Sequence, residues 1–262
     1  MNSLSGSLPN GLCNGLPILK GLYLSGNKLH GHIPTSLSNC SQLQLLSSSE
    51  NDLTGEIPKQ ISNLVELEVL ILGYNSFSGR LNMEIFNISG LRIIDLTFNN
   101  LSGSLPQNIG SILPNIEVLY LGNLTNLVGT IPHSIYNCSK FTILELSYSQ
   151  LTGLIPNSLG YLTHLQYRNL GGNNLTSDSS LSFLTSLSNN RNLTILYLYS
   201  NPLNGMLPAS TGNLSTSLRK FYANNCKIKG RIPNEVLNLS SLLDLRFLEI
   251  TWSDRFQHQL AN

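Results

Sequence analysis

The phrase "LYLSGNKLHGHIP" at residues 22–34 returns as "NDLTGEIP" from Asn51, "NNLSGSLP" from Asn99, "SQLTGLIP" from Ser149 and "NPLNGMLP" from Asn201. Counting each copy from its turn residue as position 0, the turns fall at Asn2, Asn27, Asn51, Asn75, Asn99, Leu124, Ser149, Asn173, Asn201, Cys226 and Ile250. The spacings are 25, 24, 24, 24, 25, 25, 24, 28, 25 and 24. A period sustained along a whole chain is the mark of a solenoid, in which each unit buries its apolar face only against its neighbours. The expectation is one domain over residues 1–262, about ten 24-residue coils, regular over 2–250 with a degenerate tail at 251–262.

Each coil opens with L-x-x-L-x-L-x-x-N, as in Leu19, Leu22, Leu24 and Asn27, or Leu67, Leu70, Leu72 and Asn75. The Leu-x-Leu pair has the period of a strand, so both leucines face one side. Stacked coils then give a continuous parallel sheet over a leucine core. The asparagine sits at the bend, where its amide can bond backbone groups of its own and the neighbouring coil. In the second half, x-L-x-G-x-I-P, Leu29 and Ile33 return to the core, Gly31 permits a bend, and Pro34 ends the segment. A variable stretch such as "TSLSNCSQL" follows, whose Leu37 and Leu43 suit a short helical turn.

This pattern resembles the plant-specific class of leucine-rich repeats, marked by L-x-G-x-[IL]-P. The phrases "ILPNIEVLYLG", "LTSDSSLSFLTSLSNNRNLTILYL", "MLPASTGNLSTSL" and "CKIKGRIP" are similar to ectodomains of plant receptor-like kinases of the flagellin-receptor and rice blight-receptor subfamily. The resemblance implies an α/β repeat solenoid. It would be a leucine-rich repeat right-handed superhelix with a concave parallel β-sheet and a short-helical, 3-10 and irregular convex side. It also implies a single-pass receptor with a cytoplasmic Ser/Thr kinase. That receptor would display the repeats on the extracellular, apoplastic face of the plasma membrane. Its ligand would be a microbial or endogenous peptide or protein in defence signalling, bound with help from a shorter leucine-rich repeat co-receptor kinase. The alternatives are a secreted inhibitor of cell-wall-degrading enzymes, which shares the repeat class, and a truncated receptor product without function.

Parts of that family pattern are missing. The sequence starts in mid-repeat, with no signal peptide, no apolar run long enough to span a membrane and no kinase motif. It therefore reads as an internal or truncated piece that makes no membrane contact of its own, with sheet ends whose missing caps predict poor solubility. Three local departures stand out: Ser48 and Arg168 replace strand leucines, and Asn82 replaces a proline. Burying Arg168 unpaired is costly, so the expectation is that it reaches solvent or pairs.

A net charge of +1 with 11% charged residues gives no electrostatic case for nucleic acid. His30, His32, His133, His164 and His258 show no metal-ligand pattern, and no cofactor is implied. Asp95, Glu117 and Glu145 allow a glycosidase-type acid pair, but the period belongs to the binding solenoid, so the reading is not an enzyme. Cys40 and Cys138 hold one repeat position four coils apart, about 19 Å at roughly 4.8 Å per coil, beyond disulfide reach. A Cys13–Cys40 bridge between adjacent coils is conceivable, but the expectation is four free thiols, with Cys226 buried at a turn position.

Nine N-x-[ST] sequons occur, at Asn39, Asn87, Asn100, Asn123, Asn137, Asn174, Asn192, Asn213 and Asn238. Asn39, Asn87, Asn137, Asn213 and Asn238 share one repeat column, five residues after the proline position, and are the expected sites of convex-side glycosylation. On the concave side, the position between the two core leucines reads Tyr23, Ser47, Ile71, Asp95, Tyr120, Glu145, Asn169, Tyr197, Tyr222. Two positions on, small residues predominate until Tyr199. Tyrosine is a frequent anchor at binding hot spots, and small neighbours would leave room for an extended ligand. The candidate contacts are Asp95, Tyr120, Glu145, Tyr197, Tyr199 and Tyr222, with Asp95, Glu117 and Glu145 forming an acidic patch for a basic ligand segment.

Overall fold

A computed structural model describes residues 2–81 and 83–248, apart from the side chain of Met83. Asn82, the turn at Ile250, the tail 251–262 and His258 lie outside the described residues. The Leu-x-Leu segments form a ten-stranded parallel sheet running in chain order from Gly21–Tyr23 to Asp244–Arg246. Its strands have three residues each, and the middle one enters the core: Leu46, Leu70, Ile94, Leu119, Leu144, Leu196 and Phe221 are all buried. Short strands suffice because every coil repeats the pairing. The stack is a leucine-rich repeat solenoid.

The turn asparagines tie coil to coil. Asn75 Oδ1 accepts the backbone N–H of Leu53 in the preceding coil at 3.0 Å. Its Nδ2 donates to Ser48 O of that coil at 3.0 Å and to its own Leu72 and Gly73 carbonyls at 3.1 and 3.2 Å. Asn51, Asn99, Asn173 and Asn201 repeat the pattern. At these five bends the buried backbone is thereby satisfied by one side chain. Leu124 interrupts the ladder with an apolar side chain that is fully buried. Cys226 continues it with sulfur, Sγ donating to Leu198 O at 3.1 Å, so the expected buried turn thiol is found.

A second, eight-stranded parallel sheet was not foreseen. It is built from the x-L-x-G segments, from Ser5–Ser7 through Lys28–Gly31 to Asn174–Thr176. Gly31 has φ +81°, a left-handed bend where a Cβ would be strained. Beside the column it begins, Ser102 Oγ donates to Gly79 O of the previous coil at 3.0 Å, adding a hydroxyl rung. Past the proline, Thr35–Asn39 is a 3-10 turn with Leu37 buried, and the same turn recurs at Lys59–Asn63, His133–Asn137 and Asn157–Tyr161. The 28-residue spacing accommodates a true α-helix at Ser182–Leu187. These turns pack so closely that a Cβ on Gly212 would lie 2.0 Å from the carbonyl oxygen of Glu235 in the next coil.

Two expectations are corrected. Cys13 and Cys40 form a disulfide with a Cα–Cα distance of 5.1 Å, so only Cys138 and Cys226 are free among the four cysteines. Cys13 and Cys40 lie in adjacent coils, and one coil spacing falls inside the distance that a disulfide spans. Arg168 neither reaches solvent nor pairs with a carboxylate: it is completely buried in the leucine column. Its Nη2 donates to Leu159 O at 3.1 Å, whereas Nε and Nη1 have no partner among the described residues. Burial lowers its pKa to about 9. The backbone carbonyl and the long aliphatic stem hold it inward, because the strand register leaves the position no other direction. Ser48, likewise in a leucine position, is buried with its hydroxyl unpartnered.

Arg168→Leu should therefore raise the unfolding free energy by about 1–4 kcal/mol, the range seen when buried charges give way to apolar residues of similar size. Chemical denaturation of both proteins measures this, and a less stable leucine variant contradicts it. Thiol titration of the denatured, unreduced chain should count two reactive groups, because burial raises the folded-state pKa of Cys138 to about 12 and of Cys226 to about 11 but not their unfolded values.

Candidate ligand-binding face

Strand pairing aligns the residues between the core leucines in one register: Tyr23 with Ser47, Ile71, Asp95, Tyr120, Glu145, Asn169, Tyr197 and Tyr222. Arg246 ends the row. Alternation puts this row on the side of the sheet opposite the leucine core. Asp95, Tyr120, Tyr197, Tyr199 and Tyr222 are all partly buried, and Glu145 is only 8% exposed.

The acids are less free than the sequence suggested. Glu117 is held by Arg92, Nε to Oε1 at 2.8 Å, and its pKa is lowered by that hydrogen bond. Arg92 also reaches Glu68 at 3.4 Å, so the patch contains its own cation. Glu145 Oε2 accepts from the Tyr167 hydroxyl at 2.9 Å and Asn169 Nδ2 at 2.8 Å, and Oε1 accepts the Ser147 N–H. Asp95 Oδ1 accepts from the Thr97 backbone N–H and hydroxyl. Asp95 and Glu145, which flank Tyr120, form no salt bridge among the described residues. Burial and then these two carboxylates raise the pKa of Tyr120. Together with Tyr74, Phe98 and Gly122 they line a cavity of about 290 Å³.

Farther along, the face becomes aromatic. Tyr197 stacks on Tyr222 with centroids 4.4 Å apart, and the Arg246 guanidinium lies 4.3 Å from the Tyr222 ring centre. Tyr222 donates to Asp244 Oδ2 at 2.6 Å. Tyr199 contacts Tyr197 and Tyr148 in tilted arrangements, with centroids 6.1 and 5.8 Å apart. The small residues beside the row are not empty slots. A Cβ on Gly171 would lie 2.3 Å from the Tyr199 ring, and one on Gly73 would lie 2.8 Å from Asp95 Oδ1. Gly171 and Gly73 are seats for the next coil's own side chain, so the room expected for a ligand at these two positions is already filled.

A second row was missed. Among the described residues, the one before each turn position from Asn27 to Cys226 adopts a left-handed backbone: Tyr74 (φ 55°), Phe98 (52°), Asn123 (57°) and Tyr148 (51°) among them. This conformation is unusual for bulky side chains. Tyr74 and Phe98 stack with centroids 4.5 Å apart, and both are about half exposed, at 51% and 45%. Reading that column down the sequence, which gives glycine, glutamate and then three aromatics interrupted by Asn123, would have found it. The five column sequons Asn39, Asn87, Asn137, Asn213 and Asn238 each end a 3-10 turn with an exposed asparagine. Among the described residues no group of His, Cys, Asp and Glu could hold a metal ion, and no helix is long and apolar enough to cross a membrane.

The Leucine Rich Repeat family model matches residues 19–40, 90–112, 140–162 and 192–214. Over 74 residues the chain is 42% identical to the LRR receptor-like serine/threonine-protein kinase EFR of Arabidopsis thaliana, a stretch that is 28% of this chain and 7% of that protein. Its fold is similar to the plant peptide hormone receptor RGFR1 solved with RGF2, with a TM-score of 0.85 and 31% identity, covering 94% of this chain and 38% of that one. It is also similar to the Arabidopsis receptor kinase HAESA solved with the peptide hormone IDA and the co-receptor SERK1, with a TM-score of 0.86 and 28% identity, covering 94% and 40%. The chain thus spans less than half the length of these relatives. Its coils are leucine-rich repeats, and they are similar to those of plant receptor-kinase ectodomains.

The tyrosine environments can be read by alkaline titration. Burial raises the pKa of Tyr120, Tyr167, Tyr199 and Tyr222, the last to about 12. Four of the ten tyrosines should therefore ionise late in the folded chain, and in the ordinary range once it is denatured. Because their folded pKa values are raised, the stability they contribute is complete below about pH 10, the ordinary tyrosine value, and is lost as pH rises through the folded values. Tyrosinate absorbance that rises identically with and without denaturant would contradict this assignment.

Proposed function

We propose that this chain is the ligand-binding part of an extracellular receptor-like Ser/Thr kinase of plants, and that it holds a peptide or protein along the ten-stranded sheet. The observation that carries the reading is the in-register row from Asp95 to Tyr222, in which large polar-tipped side chains are clamped by neighbours rather than left mobile. Pre-ordered tyrosines lose little entropy on binding, which is why such residues anchor recognition. Support also comes from the similar solved structures, the peptide hormone receptor RGFR1 with RGF2 and HAESA with IDA.

The contacts are Asp95, Tyr120, Glu145, Tyr197, Tyr199 and Tyr222. Tyr197, Tyr199 and Tyr222 offer ring surface, Tyr120 a hydroxyl between two carboxylates, and Asp95 the accessible charge. Glu145 acts by positioning, because its oxygens already hold Tyr167, Asn169 and Ser147. Defence signalling as the output, and a shorter leucine-rich repeat co-receptor as partner, belong to the same proposal and rest on the likeness to EFR and to HAESA solved with SERK1. The part this chain supplies is binding, with no chemistry of its own.

The test is selection of peptides from a displayed random library on the chain, followed by affinity measurement on alanine variants. Tyr197→Ala and Tyr222→Ala should each weaken binding of the enriched peptides by about 1–2 kcal/mol or more. Peptides with a basic segment should lose affinity on Asp95→Ala and with rising salt. Enriched peptides that bind all six alanine variants as tightly as the parent chain would overturn the reading.

A further inference from the structure

Asn123 interrupts the row of left-handed aromatics, and it begins the sequon Asn123-Leu124-Thr125. Its place is fixed by the same backbone hydrogen bonds as its neighbours: Phe98 N–H to Gly122 O at 3.1 Å, Asn123 N–H to Ser147 O at 2.8 Å, and Tyr148 N–H to Gly171 O at 2.9 Å. One strand spacing of roughly 4.8 Å therefore separates it from Phe98 on one side and Tyr148 on the other. The left-handed backbone, which bulky residues tolerate poorly, is ordinary for asparagine. Asn123 is only partly buried, Thr125 is exposed, and the Asn123 side-chain amide makes no hydrogen bond among the described residues. By contrast, the turn asparagines use their amides in the ladder, and Asn100 accepts from Asn126 at 2.8 Å. Asn123 also lines the cavity formed by Asp95, Tyr120 and Glu145.

We infer that Asn123 carries an N-linked glycan whose first sugar lies at the mouth of this cavity, against the exposed rings of Tyr74 and Phe98. The chemistry suits the place. The amide nitrogen is free to attack the anomeric carbon of a pyrophosphate-activated sugar donor, losing one N–H proton as the C–N bond forms and the donor's C–O bond to its pyrophosphate leaving group breaks, and no fold-stabilising contact is lost when it does. A pyranose ring has an apolar C–H face that can cover an aromatic ring, and Phe98 stands in the adjacent coil with Tyr74 stacked on its far side, both half exposed. Unlike the five sequons at the ends of the 3-10 turns, this one stands on the ligand side. The sugar would divide that face. Asp95 and Tyr120 would be reached only alongside it, whereas Tyr197, Tyr199 and Tyr222 would stay open. The inference rests on the extracellular reading, since this modification requires passage through the secretory route.

The test is glycopeptide mapping of the chain secreted from plant cells behind a cleavable leader, joined to a measurement of access. Asn123 should be occupied. Thr97 lines the cavity, so a Thr97→Cys variant should react with a bulky maleimide at least about tenfold more slowly than the same variant carrying Asn123→Gln. Enzymatic removal of the glycans should restore the fast rate without any substitution. Should Thr97→Cys fail to be secreted, Tyr74→Cys at the cavity rim serves in its place. A bare Asn123 beside occupied column sequons overturns this inference and leaves the extracellular reading standing. A chain with no glycan at any sequon overturns both. Equal labelling rates with an occupied Asn123 overturn the placement of the sugar.

Discussion

The whole stack hangs on one side-chain amide used four ways. A turn asparagine accepts a backbone N–H from the preceding coil and donates to one carbonyl there and two of its own, as Asn75 does with Leu53, Ser48, Leu72 and Gly73. A bend in a buried chain strands polar backbone groups, and each would cost on the order of 1–3 kcal/mol if left alone. A single residue type closes that gap and at the same time fixes where one coil sits on the next. Strand register, the position of the core leucines and the alignment of the outward row all follow from it. The sheet can then be built from three-residue strands, which would be too short to persist singly.

What binds is decided by positions that the ladder leaves free. The column before each turn keeps its left-handed backbone whether the residue is Gly26, Glu50, Tyr74, Ser200 or Asn225. The fold therefore dictates the conformation there but not the side chain. The same holds for the row between the leucines, where Ser47, Asp95 and Tyr222 occupy equivalent sites. Chemistry along the face is written onto a backbone that does not change with it. That is why a local charge such as Asp95 can stand out in a chain that is almost neutral overall.

Much of this was legible in the sequence because period and register are one-dimensional properties. The row Tyr23 to Tyr222 was readable from letter spacing alone, and the strand pairing reproduces it residue by residue. What spacing does not encode is the reach of a side chain across coils. Arg168 looked too costly to bury, yet its strand position points inward and its head finds Leu159 O. A Cys13–Cys40 bridge between adjacent coils was conceivable from the spacing but free thiols were expected, because letter spacing does not show that the two Cα atoms stand 5.1 Å apart. Glu117 and Glu145 looked like free acids because Arg92 and Tyr167 lie in other coils. The eight-stranded sheet was hidden for a different reason: its segments carry glycine and small polar residues, which read as turn rather than strand.

The seats cut by glycine have a consequence for how such a protein can be remade. Gly171 receives Tyr199, Gly122 lies against Glu145, and Gly73 lies against Asp95, always across the boundary between one coil and the next. The smallest portable piece of this face is consequently a joint, half of one repeat and half of its successor. Recombination that cuts within the seat would join a glycine to a side chain it was not shaped for, or press a Cβ into a tyrosine ring. Exchange that cuts at the 3-10 turns and carries both halves together would move a recognition element intact. For this family of folds, the grammatical repeat and the unit of inheritance are out of phase.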